Sequence, residues 1–284
     1  MLSVVIVYFN TGNKTGCLSK VMEGFNRQIN KDFELIIIDN HSPIPLAEDI
    51  GLSGKSIYNF MVAPKVITLG SLPGGLTDIR GQCTARNIGT MIARGDRVTW
   101  NDGDCVPSKN FVEVCLRSRA DALNIAFDGG KVPGTLSCNL KDVLNRVSWI
   151  EENPRDMTMF LQHPSPKHFL NCITRGVSVA RSVARYTLFD EDFNYDANNP
   201  NSGKGWEDVD FGMRLHKGGA IIDGDLTAFT VHIDHQVSAP SINCAKASYK
   251  NWVLLNRKHP DLKLLVPDWH RDTTNAILEG MRNG

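Results

Sequence analysis

Four short apolar runs constrain this fold more than any other feature. They are "SVVIVYF", "FELIIID", "KVITL" and "DRVTW". "SVVIVYF" is continuous rather than alternating and rich in β-branched residues, and "FELIIID" reads as a second such strand, the pattern of strands buried on both faces. Helical spacing fills gaps between them. It covers about 14–29 and "CTARNIGTMIARG", where Ala85, Ile88, Met91 and Ile92 share a face and Gly95 stops the helix. Strands alternating with helices predict an α/β fold with a mostly parallel central sheet flanked by helices. Ligands of such sheets bind at the carboxyl ends of the strands. Those ends carry Phe9-Asn10, Asp39 and Asp102/Asp104.

The second half is less regular. Helices are predicted near 108–119 and 139–152, and "HFLNCITRGVSVARSVA" reads as a strand followed by a helix. "GWEDVDFGMRLHKGG" reads as a helix closed by Gly218-Gly219, followed by strands "AIID" and "AFTVHI" and helices near 243–258 and 272–282. Segments 128–134 and 196–205 are loops by composition, and long loops near a site often act as lids. The 284 residues, 42% of them hydrophobic, allow one large α/β domain or two small ones.

No apolar run approaches the ~20 residues of a membrane span, and the N-terminus enters a strand without a signal-peptide pattern. The seven cysteines form no C-x-x-C pair and read as small buried thiols of a reducing compartment, so a cytoplasmic location is expected. Lys+Arg (31) balance Asp+Glu (31), leaving no global field to attract nucleic acid or an anionic membrane.

Three constellations can carry chemistry. In Asp102-Gly103-Asp104, two carboxylates on a tight turn could hold a hard divalent cation; an ordinary Asp-Gly turn is the alternative. Glu207 and Asp208 open a predicted helix, where acids complement the dipole but could also deprotonate a hydroxyl. In "VHIDHQ", His232 and His235 end a strand-like run. Three positions apart, they fall on opposite faces, so one of them would reach a site beside the aspartates.

In this order, the elements resemble family 2 glycosyltransferases of the GT-A fold. "VVIVYFN" is similar to that family's opening strand, and "ELIIIDNHSP" to its "IIVVDDGS" segment. "ARNIGTMIARGDRVTWNDGDCVP" resembles its "ARN-G---A-G-YI-FLD-D" block. "FDEDF…GWEDVDFGMRLHKGG" resembles the "FDE-F…W--ED-DL--RL---G" block, especially in chondroitin-polymerase and β4-galactosyltransferase relatives. The motifs span 4–236. Three departures stand out: Val7 replaces the family's usual proline, Asn40 the second acid of its D-D-G-S segment, and His41 its glycine. The resemblance therefore implies a base pocket unlike the usual one.

The resemblance implies a Rossmann-like nucleotide-diphospho-sugar transferase fold. Its catalytic domain would be 1–240, with a nucleotide-sugar half at 1–105, an acceptor half at 106–240 and a helical extension at 241–284. It implies that Phe9 stacks on the donor's base, that Asn10 and Asp39 line its pocket, and that Arg80 and Arg86 approach the nucleotide. Asp102 would meet the ribose or the metal, Asp104 would be the main ligand of Mn2+ (or Mg2+), and His232 or His235 would complete the metal site. Asp208 would be the catalytic base and Glu207 would grip the acceptor, while Trp206 is either a sugar-stacking face or a core residue.

The implied reaction is inverting transfer from a nucleoside-diphosphate sugar, UDP-linked by preference, to a hydroxyl of a saccharide or glycoconjugate. An acceptor in modified nucleic acid is the alternative, with Arg175, Arg181 and Arg185 as local phosphate contacts. A nucleotidyltransferase would want a Gly-rich phosphate loop with lysine near the N-terminus, which the chain lacks. A silent nucleotide-sugar-binding module would have lost acids that are all present.

Overall fold

The structure, a computed structural model, describes residues 1–9, 16–40, 42, 46, 64–69, 81–132, 140–153, 165–194, 203–233 and 242–261. Among these residues, eight strands form one sheet. They are β1 (Leu2–Tyr8), β2 (Phe33–Asp39), β3 (Lys65–Thr68), β4 (Arg97–Asp102), β5 (Cys105–Pro107), β6 (Ala122–Val132), β7 (Val177–Ala180) and β8 (Ile222–Ile233). The helices are α1 (Cys17–Asn26), α2 (Gln82–Ile92), α3 (Phe111–Arg117), α4 (Leu140–Glu152), α5 (Arg181–Tyr186), α6 (Glu207–Lys217) and α7 (Ile242–Lys258). The predicted helix near 272–282 lies outside the described residues.

The strand order is β3-β2-β1-β4-β7-β6-β8-β5. Strands β3, β2, β1 and β4 run parallel, whereas β7 joins β4 antiparallel. Both faces of β1 are buried, as its unbroken apolar run requires. Leu2, Val4, Ile6 and Tyr8 pack in one core layer with α1, and Val5 packs in the opposite layer with Ala85 of α2 and Phe211 of α6. Each such side chain contributes about 1.5–3 kcal/mol by leaving water. The register aligns Tyr8 with Asp39 and Val7 with Asp102, bringing three strand ends to one edge. The chain progression reverses between β1 and β4, so this edge is a topological switch point.

Three predictions need correction. Segment 128–134 is not wholly loop, because β6 continues to Val132 through pairing with β8. "AIID" and "AFTVHI" are one strand, not two. The register jumps between Ile125 and Ala126, which face Asp225 and Phe229, so residues 226–228 bulge. The carboxylate of Asp225 accepts from the Thr227 backbone N–H at 2.8 Å and satisfies the bulged backbone locally. The three-residue strand β5 was too short to show a period. Among the described residues, no helix is long and apolar enough to cross a membrane.

Candidate active site

The Asp102-Gly103-Asp104 turn carries the chain out of β4 and into β5, which pairs with β8 rather than with β4. Asn101 pins it, its side-chain amide donating to the carbonyls of Asp102 and Cys105, both at 2.8 Å. Gly103 is needed for space, since a Cβ there would come within 2.9 Å of the Tyr8 ring. Asp104 is buried and Asp102 half-buried. One ligand atom each from Asp102, Asp104 and Cys105 fall within 4.8 Å of one another, close enough to share a cation. Two of these donors are hard carboxylates, which suit Mn2+ or Mg2+.

Cys105 pairs with His232 in register across β5 and β8, so the ring of His232 comes to Asp104, Nε2 to Oδ1 3.8 Å. His235 lies outside the described residues, as do Asn10 and Arg80. Cys105, read from the sequence only as packing, is thus the group that reasoning missed. Its position directly after the second aspartate was the available signal.

Glu207 and Asp208 begin α6, as predicted. The turn before them holds two consecutive residues in the left-handed region, Gly205 at φ 73° and Trp206 at φ 71°. Helix α7 fastens that turn. The Asn251 amide donates to the Gly205 carbonyl at 2.8 Å, the Trp206 indole N–H to Ser248 Oγ at 3.1 Å, and the Lys204 N–H to the Ala247 carbonyl at 3.0 Å. Of the two expectations for Trp206, the side chain takes core packing: it is 8% exposed.

Arg86, on α2, is buried. Its Nη1 donates to Glu207 Oε1 at 2.9 Å, and its Nη2 stands 3.8 Å from Asp102 Oδ1. The guanidinium lies over the Phe189 ring, 5.3 Å from its centroid. Burial pulls its pKa down, but Glu207 and Asp102 more than offset this and leave it raised. Burial pushes the Asp208 carboxyl up to about 6, helped by the charge of Glu207 and opposed by Arg86 and Arg175. Ionised Asp208 is thereby a base of useful strength near neutrality. Glu207 Oε2 is buried without a hydrogen-bond partner among the described residues.

Asp39 is buried at the end of β2, its Oδ1 accepting from the Ser42 N–H at 3.0 Å. Phe9, 38% exposed, follows β1 with a face open to solvent. Arg185 donates to the carbonyls of Met91 and Ala93 at the end of α2, both at 3.0 Å, while Arg175 stands 4.0 Å from Asp102 Oδ2. Cys17, Cys83, Cys105, Cys115 and Cys172 are free thiols and buried, and burial pushes Cys115 up to about 12.

Solved structures of three proteins share this architecture. The mannosyltransferase PcManGT from Pyrobaculum calidifontis, in complex with GDP-Man and Mn2+, superposes with a TM-score of 0.58 at 12% identity, over 100% of this chain and 75% of that one. GalNAc-T7 with UDP, GalNAc and Mn2+ gives 0.56 at 16% identity, over 90% of this chain and 48% of that one. The fold is GT-A. S. aureus TarS 1–349 in complex with UDP-GlcNAc gives 0.54 at 16% identity, over 98% of this chain and 71% of that one. No protein-family model and no curated protein matches the sequence. The GT-A sheet accounts for the position of the acids: β1, β2 and β4 end together, and the turn after β4 starts the second half of the fold.

Proposed function

We propose that this GT-A protein is a metal-dependent inverting glycosyltransferase. It would take a sugar from a nucleoside diphosphate, UDP by preference, and place it on a hydroxyl of a saccharide or glycoconjugate. The observation that carries the reading is Asp208, a carboxylate of raised pKa at the start of α6, in the same electrostatic neighbourhood as the Asp102/Asp104 turn. The sugar-nucleotide ligands of the similar structures support the donor class.

In this reading Asp102, Asp104 and the neighbouring His232 hold Mn2+ or Mg2+, with Cys105 against them. A metal bound there would supply positive charge to the departing diphosphate. Asp208 takes the proton of the acceptor hydroxyl as its oxygen attacks the anomeric carbon. The bond from that carbon to the diphosphate oxygen breaks with its electron pair on oxygen, and attack from the opposite face inverts the centre. Glu207 Oε2, buried and without a partner among the described residues, is suited to accept a hydrogen bond from the acceptor and fix its approach. Phe9 and Asp39, at the ends of β1 and β2, form the base pocket. Residues 1–240 would act as the catalytic domain and 241–284 as a C-terminal extension.

The test is Asp208→Asn, assayed over a panel of sugar nucleotides with manganese. Transfer should vanish while nucleotide binding, read by thermal shift, persists. Turnover above a few per cent of wild type would remove Asp208 as the base.

A further inference from the structure

Arg175 holds an unspent charge in this cleft. It lies between the 3-10 turn at Phe169–Asn171 and β7, and its backbone carbonyl accepts from Thr230 Oγ1 of β8 at 2.8 Å. The guanidinium stacks over Phe127 of β6, 4.3 Å from the ring centroid. Its nearest carboxylate oxygen is Asp102 Oδ2 at 4.0 Å, beyond hydrogen-bond reach. The charges of Asp102, Asp104 and Asp208 all act on it. The side chain is 30% exposed. Arg86, by contrast, is buried and spends its donors on Glu207.

Stacking on an aromatic ring holds the plane of a guanidinium while leaving its N–H edges open. Those edges form the fork that meets a phosphate in two parallel hydrogen bonds. Nothing among the described residues takes that fork. The anion must come from outside, and it must approach a turn whose aspartates repel it unless a cation is also bound. A diphosphate bound beside a cation held by that turn would meet both conditions.

We propose that Arg175 is a catalytic residue that grips the diphosphate of the nucleotide-sugar donor and stabilises its charge as it departs. This rests on the glycosyltransferase reading above. From its place over Phe127, Arg175 would complement the charge of a cation held by the Asp102/Asp104 turn.

The experiment compares Arg175→Lys and Arg175→Met with wild type, measuring affinity for UDP and for UMP by calorimetry with manganese present. Wild type should prefer UDP. Arg175→Met should lose about 10- to 100-fold of UDP affinity with UMP affinity unchanged, since a hydrogen bond to a charged group is worth that much. Arg175→Lys, a point charge without the fork, should fall between. A purely structural role for Arg175 would lower both affinities together, and that result overturns the proposal, as does an unchanged UDP preference in Arg175→Met. Either leaves the glycosyltransferase reading standing. Wild type binding neither UDP nor GDP overturns that reading and this inference with it.

Discussion

Arg86 and Glu207, 121 positions apart, form a buried ion pair with Nη1 donating to Oε1 at 2.9 Å. It ties α2, which packs on the parallel half of the sheet, to the first turn of α6, which carries the acids. Their side chains are 6% and 7% exposed, so solvent screens the pair little. Removing one partner strands a buried charge, which costs about 3–5 kcal/mol. Arg86→Met should therefore lower Tm by roughly 5–15 °C. The double variant Arg86→Met/Glu207→Gln should recover much of that loss in a calorimetric scan. A loss in the double variant equal to the sum of the losses in Arg86→Met and Glu207→Gln alone would show that the pair is not coupled.

A pH profile follows from Asp208. Burial, and secondarily the Glu207 charge, push its carboxyl up to about 6. The charges bearing on it are Glu207, Arg86 and Arg175, the arginines acting in the opposite sense. A general base works ionised, so kcat/KM should rise with pH through about 6 and level off above. Glu207→Gln removes the like charge, which favours ionisation, so the limb in its residual activity should move to lower pH. A limb that stays in place would separate it from Asp208.

The parallel half was legible because periodicity and end residues agree: "SVVIVYF", "FELIIID" and "DRVTW" became β1, β2 and β4 with their polar ends aligned. The Glu207-Asp208 helix start was legible for the same reason. The long-range pairings were not. Nothing local in "CTARN" says that Arg86 will pair with Glu207. Arg175 resembled Arg181 and Arg185 as sequence, yet only the β6–β7 pairing brings it onto Phe127. In β6, "DGG" signalled a turn, but pairing of Asp128 and Val132 with β8 on either side of a register shift carries the strand through it.

Metal dependence should run through Asp104 more than Asp102. Asp104 is buried beside His232 and Cys105, while Asp102 also faces Arg86 and Arg175. Chelation with EDTA should abolish transfer, and Mn2+ should restore it. Asp104→Asn should cost about 10²-fold or more, as loss of several kcal/mol of charge stabilisation implies. It should also weaken Mn2+ binding, measured by electron paramagnetic resonance. Full activity in EDTA would remove the metal from the mechanism.

The clamp of α7 on the turn before Glu207 makes the last prediction. Two consecutive left-handed residues, Gly205 and Trp206, aim the start of α6. For tryptophan this backbone costs of order 1–3 kcal/mol, so the turn persists only because neighbours over-determine it. Asn251 is the central neighbour, its amide donating to both the Gly205 carbonyl, at 2.8 Å, and the Phe193 carbonyl, at 3.2 Å. It fits because Gly203 lacks a side chain: a Cβ there would overlap Asn251. Asn251→Ala leaves both carbonyls without this donor at a cost of about 1–3 kcal/mol. If the clamp only stabilises, Tm falls and kcat does not. If it aims Asp208, kcat falls as well, while UDP affinity, set at the other strand ends, holds. Ser248→Ala, which removes only the bond to the Trp206 indole, should show the same pattern at smaller amplitude. Paired thermal melts and single-turnover rates on the two variants separate these outcomes.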